Sequence, residues 1–389
     1  MSAKRALTRL RAPDEPGAEE RAWEVVRSAY REQALSTAGH PRRRLALALA
    51  LGALLAGVVL SPATANVTRL ITRALGVEHA SHALVSLPAQ GRLLVAGQGG
   101  TWSIGADGST HRLGPWRQAS WSPHGLNLTV AGRDQLLAVD PRDGTPHWTL
   151  TRAEVSDPRW YEPTGYRVAY RSGNALREVA GDGTGDHLLA GAVAPVAAAW
   201  RPGHPYQLAY VSAHGSLVVR DGDTGQLIWS VAAGVAIREL TWSPDGRLLL
   251  ALSPAAVEVY DARGRLVGAT PFAERAPAIA AALSPDGHTF AVVLGGSGGE
   301  VVLENLPPEK PAPRRVLAGA GLQQLLWSPD GRWLLVSWPA ANQWVFVRVV
   351  GAPRIAAASR IAEQFATRDS RGTLPRLEGW CCTPAGASG

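Results

Sequence analysis

Cysteine is almost absent from this chain of 389 residues, and its two copies, Cys381 and Cys382, are adjacent. A zinc site takes three or four ligands, usually from separated pairs, so these two cysteines exclude such a site. They permit a vicinal disulfide, which would be labile because its ring is small. The alternative interpretation is two small apolar residues buried on a strand.

Lysine is also scarce, because it occurs only at Lys4 and Lys310, and arginine carries most of the positive charge. The formal net charge is +7, and residues 1–44 carry +4 of it, from ten basic and six acidic side chains. The rest of the chain therefore carries +3 and has no basic stripe to follow a phosphate backbone. We expect no nucleic-acid partner.

After about residue 82 the chain lacks the apolar periodicity of helices, and a repeated turn takes its place. Ser243-Pro244-Asp245-Gly246 has the residue types of a type I β-turn, with Trp242 in front and an apolar run behind. The large residue in front of the six stronger copies is Trp121, Trp160, Trp200, Trp242, Leu283 or Trp327. The turn residues of the clear copies are Pro123, Gly125, Pro244, Asp245, Gly246, Pro285, Asp286, Gly287, Pro329, Asp330 and Gly331. A seventh copy runs from Leu87 to Gly91.

The six large residues recur at intervals of 39 to 44 residues. Each interval contains four short strand-like segments, and a repeat of this length and content is typical of propeller blades. The sequence therefore predicts an all-β fold, a seven-bladed β-propeller with four-stranded blades at residues 82–365, and it leaves counts of six and eight blades open. The large residue in front of each turn would fill the wedge between neighbouring blades.

This turn and its apolar strand resemble the WD40-like propeller repeat of the TolB type, over residues 82–365. The resemblance implies a fold and little about activity. The Trp-Asp ending of true WD40 blades is missing. Two stretches, Asp140 to Trp148 and Asp221 to Trp229, are similar to quinoprotein-type blades, but two copies among seven make a bound quinone a poor hypothesis.

A propeller must join its last blade to its first. Within the C-terminal tail, residues 366–389, the segment 374–380 reads as one more strand and is followed by a further Pro-x-Gly turn. We predict that this strand closes the ring by adding to the first blade, whose other strands begin near Arg92.

An apolar stretch precedes the propeller. Leu45 to Leu60 contains only apolar residues, and no charged residue occurs between Arg44 and Arg69. This stretch predicts a transmembrane signal anchor at residues 45–65, followed by a linker at 66–81. Three arginines in front of it place the N-terminus in the cytoplasm and the propeller outside. The alternative is a cleaved signal peptide that ends near Ala65 and a secreted protein.

The cytoplasmic segment, residues 1–44, contains a short amphipathic helix at 18–33. Trp23, Val26 and Tyr30 share one face of it. One interpretation is a helix that lies on the inner leaflet, and the other is a docking peptide for a cytoplasmic partner.

Catalytic and metal-binding patterns have simpler explanations. Gly295 to Gly299 matches the G-x-S-x-G pattern of hydrolases, but a strand follows it where the nucleophile elbow needs a helix. The last histidine is His288, which precedes Ser297, whereas the hydrolase order requires a later one. His79 and His82 lack a third metal ligand. We therefore expect no enzyme activity, no catalytic residues, no cofactor and no metal.

Three hypotheses for function remain. The first is a non-catalytic extracytoplasmic module that binds a protein, a peptide or an envelope ligand on the propeller and relays its occupancy to a cytoplasmic partner. The second is a quinoprotein-like or hydrolytic propeller enzyme, and the third is a structural envelope scaffold. Fold-level analogy favours the first, and oligomeric state stays open.

Overall fold

The computed structural model describes residues 86–162, 164–204, 206–272, 276–306, 313–367 and 373–382. Within these ranges the chain forms seven antiparallel sheets of four strands each. The apolar runs behind the repeated turns become the second strands, which are buried because a sheet covers each of their faces. An all-β, seven-bladed propeller with four-stranded blades is thereby confirmed.

The regular elements follow one another with short connections. The strands are β1 Arg92–Gly97, β2 Gly100–Ile104, β3 Thr110–Gly114, β4 Gln118–Trp121, β5 Leu128–Ala131, β6 Gln135–Val139, β7 Pro146–Thr151, β8 Val155–Trp160, β9 Arg167–Ser172, β10 Ala175–Ala180, β11 His187–Ala190, β12 Ala199–Trp200, β13 Gln207–Val211, β14 Ser216–Asp221, β15 Leu227–Ala232, β16 Glu239–Trp242, β17 Leu248–Leu252, β18 Ala256–Asp261, β19 Leu266–Pro271, β20 Ala278–Leu283, β21 Thr289–Leu294, β22 Glu300–Asn305, β23 Arg314–Ala318, β24 Gln324–Trp327, β25 Trp333–Trp338, β26 Gln343–Arg348, β27 Arg354–Ser359 and β28 Arg376–Cys381. The chain also forms 3₁₀ turns at Pro123–Gly125 and Pro339–Ala341 and a short helix, α1, at Ile361–Gln364.

Each sheet is one blade. Blade 1 has the strand order β28, β1, β2, β3, and blades 2 to 7 each use four consecutive strands, from β4–β7 to β24–β27. The closing strand was predicted at residues 374–380, and in the structure it is β28, Arg376–Cys381, antiparallel to β1. The first strand of each blade contacts the first strand of the next, and β28 contacts both β24 and β4. The ring of first strands is therefore closed.

The apolar core is divided among the blade interfaces. In the described residues, each cluster of buried apolar side chains joins two neighbouring blades. In the closing cluster, Trp333 and Trp344 of blade 7 pack with Leu93 and Trp380 of blade 1. Each blade thus covers the apolar face of its neighbour, which one blade alone would leave exposed.

The large residue in front of each turn ends the first strand of its blade. The five tryptophans at this position, Trp121, Trp160, Trp200, Trp242 and Trp327, are 5% to 8% exposed. Trp242 Nε1 donates a hydrogen bond of 3.1 Å to the carbonyl of Ala199 in the preceding blade, and Trp327 Nε1 donates one of 2.9 Å to Ala282. Burial of an indole contributes about 4 to 6 kcal/mol from its apolar area.

The repeated turn is closed by its own side chains. Ser243 Oγ donates to Asp245 Oδ1 over 2.5 Å, and the same carboxylate oxygen accepts from the backbone N–H of Arg247 at 3.0 Å. Gly246 has a φ of +67°, in the left-handed region that favours glycine. Ser284 with Asp286, and Ser328 with Asp330, form the same bonds. We call the side of the propeller that carries these turns the turn face.

Neighbouring turns also touch one another. A Cβ on Gly246 would lie 2.3 Å from the carbonyl oxygen of Pro202 in the preceding blade, and one on Gly287 would lie 2.8 Å from Pro244 Cδ. Glycine ends the turn for two reasons, because both its φ and its contact with the preceding turn exclude a side chain.

The turn of blade 1 is built from two distant parts of the chain. Trp380 is the next-to-last residue of β28, the first strand of this blade, so it takes the place that the sequence pattern gave to Leu87. Cys382 stands where other blades have proline, and a Cβ on Gly125 of blade 2 would lie 3.3 Å from its Sγ. The structure joins Cys381 and Cys382 in a disulfide bond. A search for linear repeats misses this turn because its halves lie at opposite ends of the propeller's sequence.

The tryptophans of the two quinoprotein-like stretches form hydrogen bonds to the neighbouring blade at the outer strands. Trp148 Nε1 donates a hydrogen bond of 2.9 Å to the carbonyl of Gly181 in blade 3. Trp229 Nε1 donates one of 3.1 Å to Ala262 in blade 5. This contact accounts for the tryptophan of the sequence pattern that the two stretches share.

Several predicted features lie outside the described residues. These are the cytoplasmic segment 1–44 with its helix 18–33, including Trp23, Val26 and Tyr30, the anchor 45–65, the linker 66–81, and His79 and His82. Among the residues that are described, no helix combines the length and the apolar character that a membrane crossing requires.

Candidate functional site at the channel mouth

The ring of first strands surrounds a central channel, and the strands begin at the end opposite the turn face. Four polar residues stand three positions ahead of the tryptophan of their blade: Gln118, Asp157, Glu239 and Gln324. They begin or nearly begin β4, β8, β16 and β24, so the topology brings them to the same end of the channel. The sequence contains this pattern, and we did not predict a site from it.

Three of these side chains accept hydrogen bonds from the backbone of a neighbouring first strand. Gln118 Oε1 accepts a hydrogen bond of 2.7 Å from the backbone N–H of Asp157. Glu239 Oε2 accepts one of 3.0 Å from Ala281 N–H, and Gln324 Oε1 accepts one of 3.1 Å from Leu377 N–H. The inner edge of a first strand has no neighbouring strand within its blade, so these acceptors satisfy N–H groups that would otherwise be unpaired.

A β-bulge in β8 adds two charged side chains. The pairing of β8 with β9 shifts between Ser156 and Arg159, and Asp157 has a φ of 53°. Bulges redirect side chains, and aspartate tolerates the left-handed region better than most residues. Asp157 Oδ2 accepts a 2.9 Å bond from Arg171 Nη1. The guanidinium of Arg159 donates from Nη1 to the carbonyl of Pro158.

Glu378 of the closing strand is the most deeply buried acid of this region. Its side chain is 3% exposed, and Arg376 Nη2 lies 3.4 Å from its Oε1. Burial raises the pKa of Glu378 to about 7, against the attraction of Arg376 and Arg159, while the nearby Asp157 raises it further. Burial likewise raises the pKa of Glu239, although its bond from Ala281 and the charge of Arg159 lower it. Loss of hydration thus outweighs the arginines at both glutamates.

A cavity of about 490 Å³ opens beside these residues, within the range of small-ligand pockets. We call it the channel mouth. Its polar lining consists of Glu239, Gln323, Gln324, Ser337 and Arg376. Its apolar lining consists of Ile279, Ala280, Pro339, Leu374 and Pro375. Blades 5, 6 and 7 and the segment that enters blade 1 all contribute, so the cavity exists only in the closed ring.

The glycine-rich sequence pattern and two aspartate-containing loops are explained by turns. Gly295 to Gly299 connects β21 to β22, two strands of one blade. Asp182 accepts from the N–H of Thr184 and Asp221 from that of Thr224, as short side chains do in turns. In the described part of the chain, no three histidine, cysteine, aspartate or glutamate side chains are grouped to hold a metal ion.

Comparison with known proteins supports the fold. No family model and no curated protein matches the chain. Among solved structures, 1748 chains match, so the architecture is widely shared. The hydrazine synthase of Kuenenia stuttgartiensis is 15% identical, with a TM-score of 0.50 over 59% of this chain and 76% of that one. A chain of the mitotic checkpoint complex is 17% identical, with a TM-score of 0.50 over 61% of this chain and 76% of that one. Such identities show the propeller fold alone.

Proposed function

We propose that this protein is a membrane-anchored, non-catalytic binding module whose propeller lies outside the cytoplasm and binds a peptide or protein segment at the channel mouth. The observation that carries the proposal is the cavity of about 490 Å³, which is lined by both polar and apolar groups. A chain segment offers the same mixture, with amides for the glutamines and side chains for the apolar wall.

The anchor and its orientation belong to the same proposal. They rest on the uncharged stretch from Leu45 to Thr68 and on the three arginines that precede it. The relay to a cytoplasmic partner through Trp23, Val26 and Tyr30 rests on the apolar face that these residues share in a helix.

Site-specific photocrosslinking tests where the ligand binds. A photoreactive residue replaces Gln323 at the channel mouth or, as the matched control, Arg247, whose side chain is 84% exposed on the turn face. In cells that express the full chain, we expect a discrete adduct from position 323 and none from position 247. Equal labelling from both positions, or none from position 323, would contradict the proposal.

Labelling of intact cells tests the orientation. Leu126 is 70% exposed, and a cysteine at this position gives a membrane-impermeant maleimide an accessible target on the propeller. We expect labelling of this variant in intact cells at the level seen after lysis. Labelling that requires lysis would place the propeller inside.

A further inference from the structure

Among the described residues, Arg376 of the channel mouth and the nearby Arg159 have N–H donors for which the structure shows no protein acceptor. Arg376 is half-exposed, and its ion pair with Glu378 is 3.4 Å long and involves Nη2. The hydrogen bond of Arg159 to Pro158 involves Nη1. Both guanidiniums lie near enough to Glu378 to attract its carboxylate. An arginine carries five N–H donors, so most of those on this pair are available to a ligand.

Two acids of the same region are hydrogen-bonded to other groups, and the third is buried. Glu239 Oε2 is bonded to Ala281 N–H, and Asp157 is bonded to Arg171. Glu378 is buried, and its Oε1 has no hydrogen-bond partner within the described residues. The arginines therefore are not neutralised by well-formed ion pairs, and a buried polar atom without a partner is costly to the protein.

From this geometry we infer that the channel mouth anchors its peptide ligand by a carboxylate group, which Arg376 binds at the cavity wall and Arg159 attracts from the facing β8 bulge. This inference rests on the function proposed above and adds the chemistry of recognition. Planar guanidinium and carboxylate groups form paired, charge-assisted hydrogen bonds. Gln323 and Ser337 line the same cavity and offer further donors.

A singly charged carboxylate suits this cavity better than a phosphate. Two glutamates, Glu239 and Glu378, stand close to the arginines, and a dianion would be repelled by them more strongly than a monoanion. The apolar wall formed by Ile279 and Leu374 also suits a peptide, whose side chains accompany its carboxylate.

The protonation of Glu378 adds a pH dependence. The groups that face it are Arg376 on its own strand, Arg159 and Asp157 on β8, and the backbone N–H of Ala119 on β4. With its pKa at about 7, Glu378 is largely neutral below that pH and no longer repels a bound anion. Binding of a carboxylate should therefore strengthen severalfold between pH 8 and pH 6, over about one unit on either side of this pKa.

Three synthetic libraries of N-acetylated random pentapeptides test the inference with the full-length chain. The first has free C-terminal carboxylates and lacks Asp and Glu, the second is C-amidated and includes Asp and Glu, and the third is C-amidated and lacks both. Retained peptides are identified by mass spectrometry, and their Kd values are measured by calorimetry. We expect peptides from the first or second library to be retained, which identifies a terminal or a side-chain carboxylate, and none from the third.

Variants assign the contact to its residues. Arg376→Gln and Arg159→Gln should each weaken the affinity for the tightest-binding peptide by about ten- to a hundredfold, as expected when a hydrogen bond to a charged group is lost. Arg376→Lys should restore part of the affinity, and Arg247→Gln on the turn face should change nothing. Glu378→Gln should bind the peptide with a weaker pH dependence, and Glu239 remains in this variant as a second buried acid. Acetate should compete, and inorganic phosphate should not. Thermal unfolding verifies that each variant is folded.

The outcomes separate this inference from the proposed function. Retention of the third library, with crosslinking still at position 323, would overturn the carboxylate anchor and leave the binding module intact. Stronger competition by phosphate than by acetate, or unchanged affinity in both arginine variants, would also overturn it. If no library is retained and position 323 forms no adduct, the proposed function itself fails.

Discussion

The two ends of the channel differ in how closely their residues repeat from blade to blade. On the turn face, the same serine, aspartate and glycine recur, and they form the same hydrogen bonds in blades 5, 6 and 7. At the channel mouth the corresponding position is different in successive blades, with Gln118, Asp157, Glu239 and Gln324 among its occupants. Repetition at one end holds the ring together, and variation at the other creates a site that no single blade contains.

Removal of the closing strand should have the largest effect on stability, because it opens the ring. Deletion of residues 373–389 removes β28, and with it Leu377 and Trp380 from the cluster between blades 7 and 1. Loss of these two side chains alone costs about 5 to 10 kcal/mol, comparable to the whole stability of a domain. We expect circular dichroism to show no cooperative unfolding transition. An unchanged melting temperature would show that the ring does not depend on this strand.

Removal of one wedge tryptophan should destabilise the fold less than removal of the closing strand. Trp242→Ala should lower the free energy of unfolding by about 3 to 5 kcal/mol, because it leaves a cavity between blades 4 and 5. Trp242→Phe should cost less, since it keeps most of the apolar contact and loses the hydrogen bond to Ala199. Leu126→Ala, at a side chain that is 70% exposed, is the control and should change stability by under about 0.5 kcal/mol. Equal losses in Trp242→Ala and Leu126→Ala in urea titrations would refute the wedge role.

The channel mouth should respond to pH where the turn face does not. The pKa of Glu378 is raised from 4.5 to about 7 in the folded chain, so the folded state holds this proton over that range and the unfolded state releases it. Stability should therefore fall as the pH rises from about 4.5 to 7, by up to about 3 kcal/mol from this group. Glu378→Gln should be more stable than the wild type at pH 7 and have a flatter profile.

Two other glutamates serve as references for this profile. Burial also raises the pKa of Glu178 to about 7, so part of the wild-type slope should persist in Glu378→Gln and decrease further in the double variant with Glu178→Gln. Glu363, which is solvent-exposed and bonded to Asn342, has a lowered pKa, and Glu363→Gln should leave the slope between pH 4.5 and 7 in place. If neither Glu378→Gln nor Glu178→Gln changed the slope of stability against pH, the raised pKa values of these two glutamates would be contradicted.

The smallest effect should come from a single turn. Asp245→Ala removes the acceptor for the Oγ of the buried Ser243 and for the backbone N–H of Arg247, while Asp245 itself is exposed. We expect a loss of about 1 kcal/mol in chemical denaturation, since solvent replaces part of these bonds. Peptide affinity at the channel mouth should be unchanged. A loss of affinity in this variant would mean that the two ends of the channel are coupled.

Much of the fold could be predicted because its determinants are local and repeated. A Ser-Pro-Asp-Gly turn acts within a few residues, and its spacing from copy to copy gives the blade length. The sequence predicted Trp380 in a closing strand but gave the turn of blade 1 to Leu87. The reason is that this turn joins residues almost 300 positions apart. The polar residues three positions ahead of four tryptophans were overlooked, and no linear motif relates Glu239 to Arg376.

By itself the sequence determined the class of fold, the length of the blades and six of the residues that fill the wedges, because each depends on side chains within one repeat. Only the tertiary structure decided which side chains meet around the channel. Closure of the ring brings Arg159, Glu239, Arg376 and Glu378 together from blades 3, 5 and 1, and it is this burial that raises the pKa values of the two glutamates. Charge and burial at such a site depend on distance in space, which the order of residues along the chain does not give.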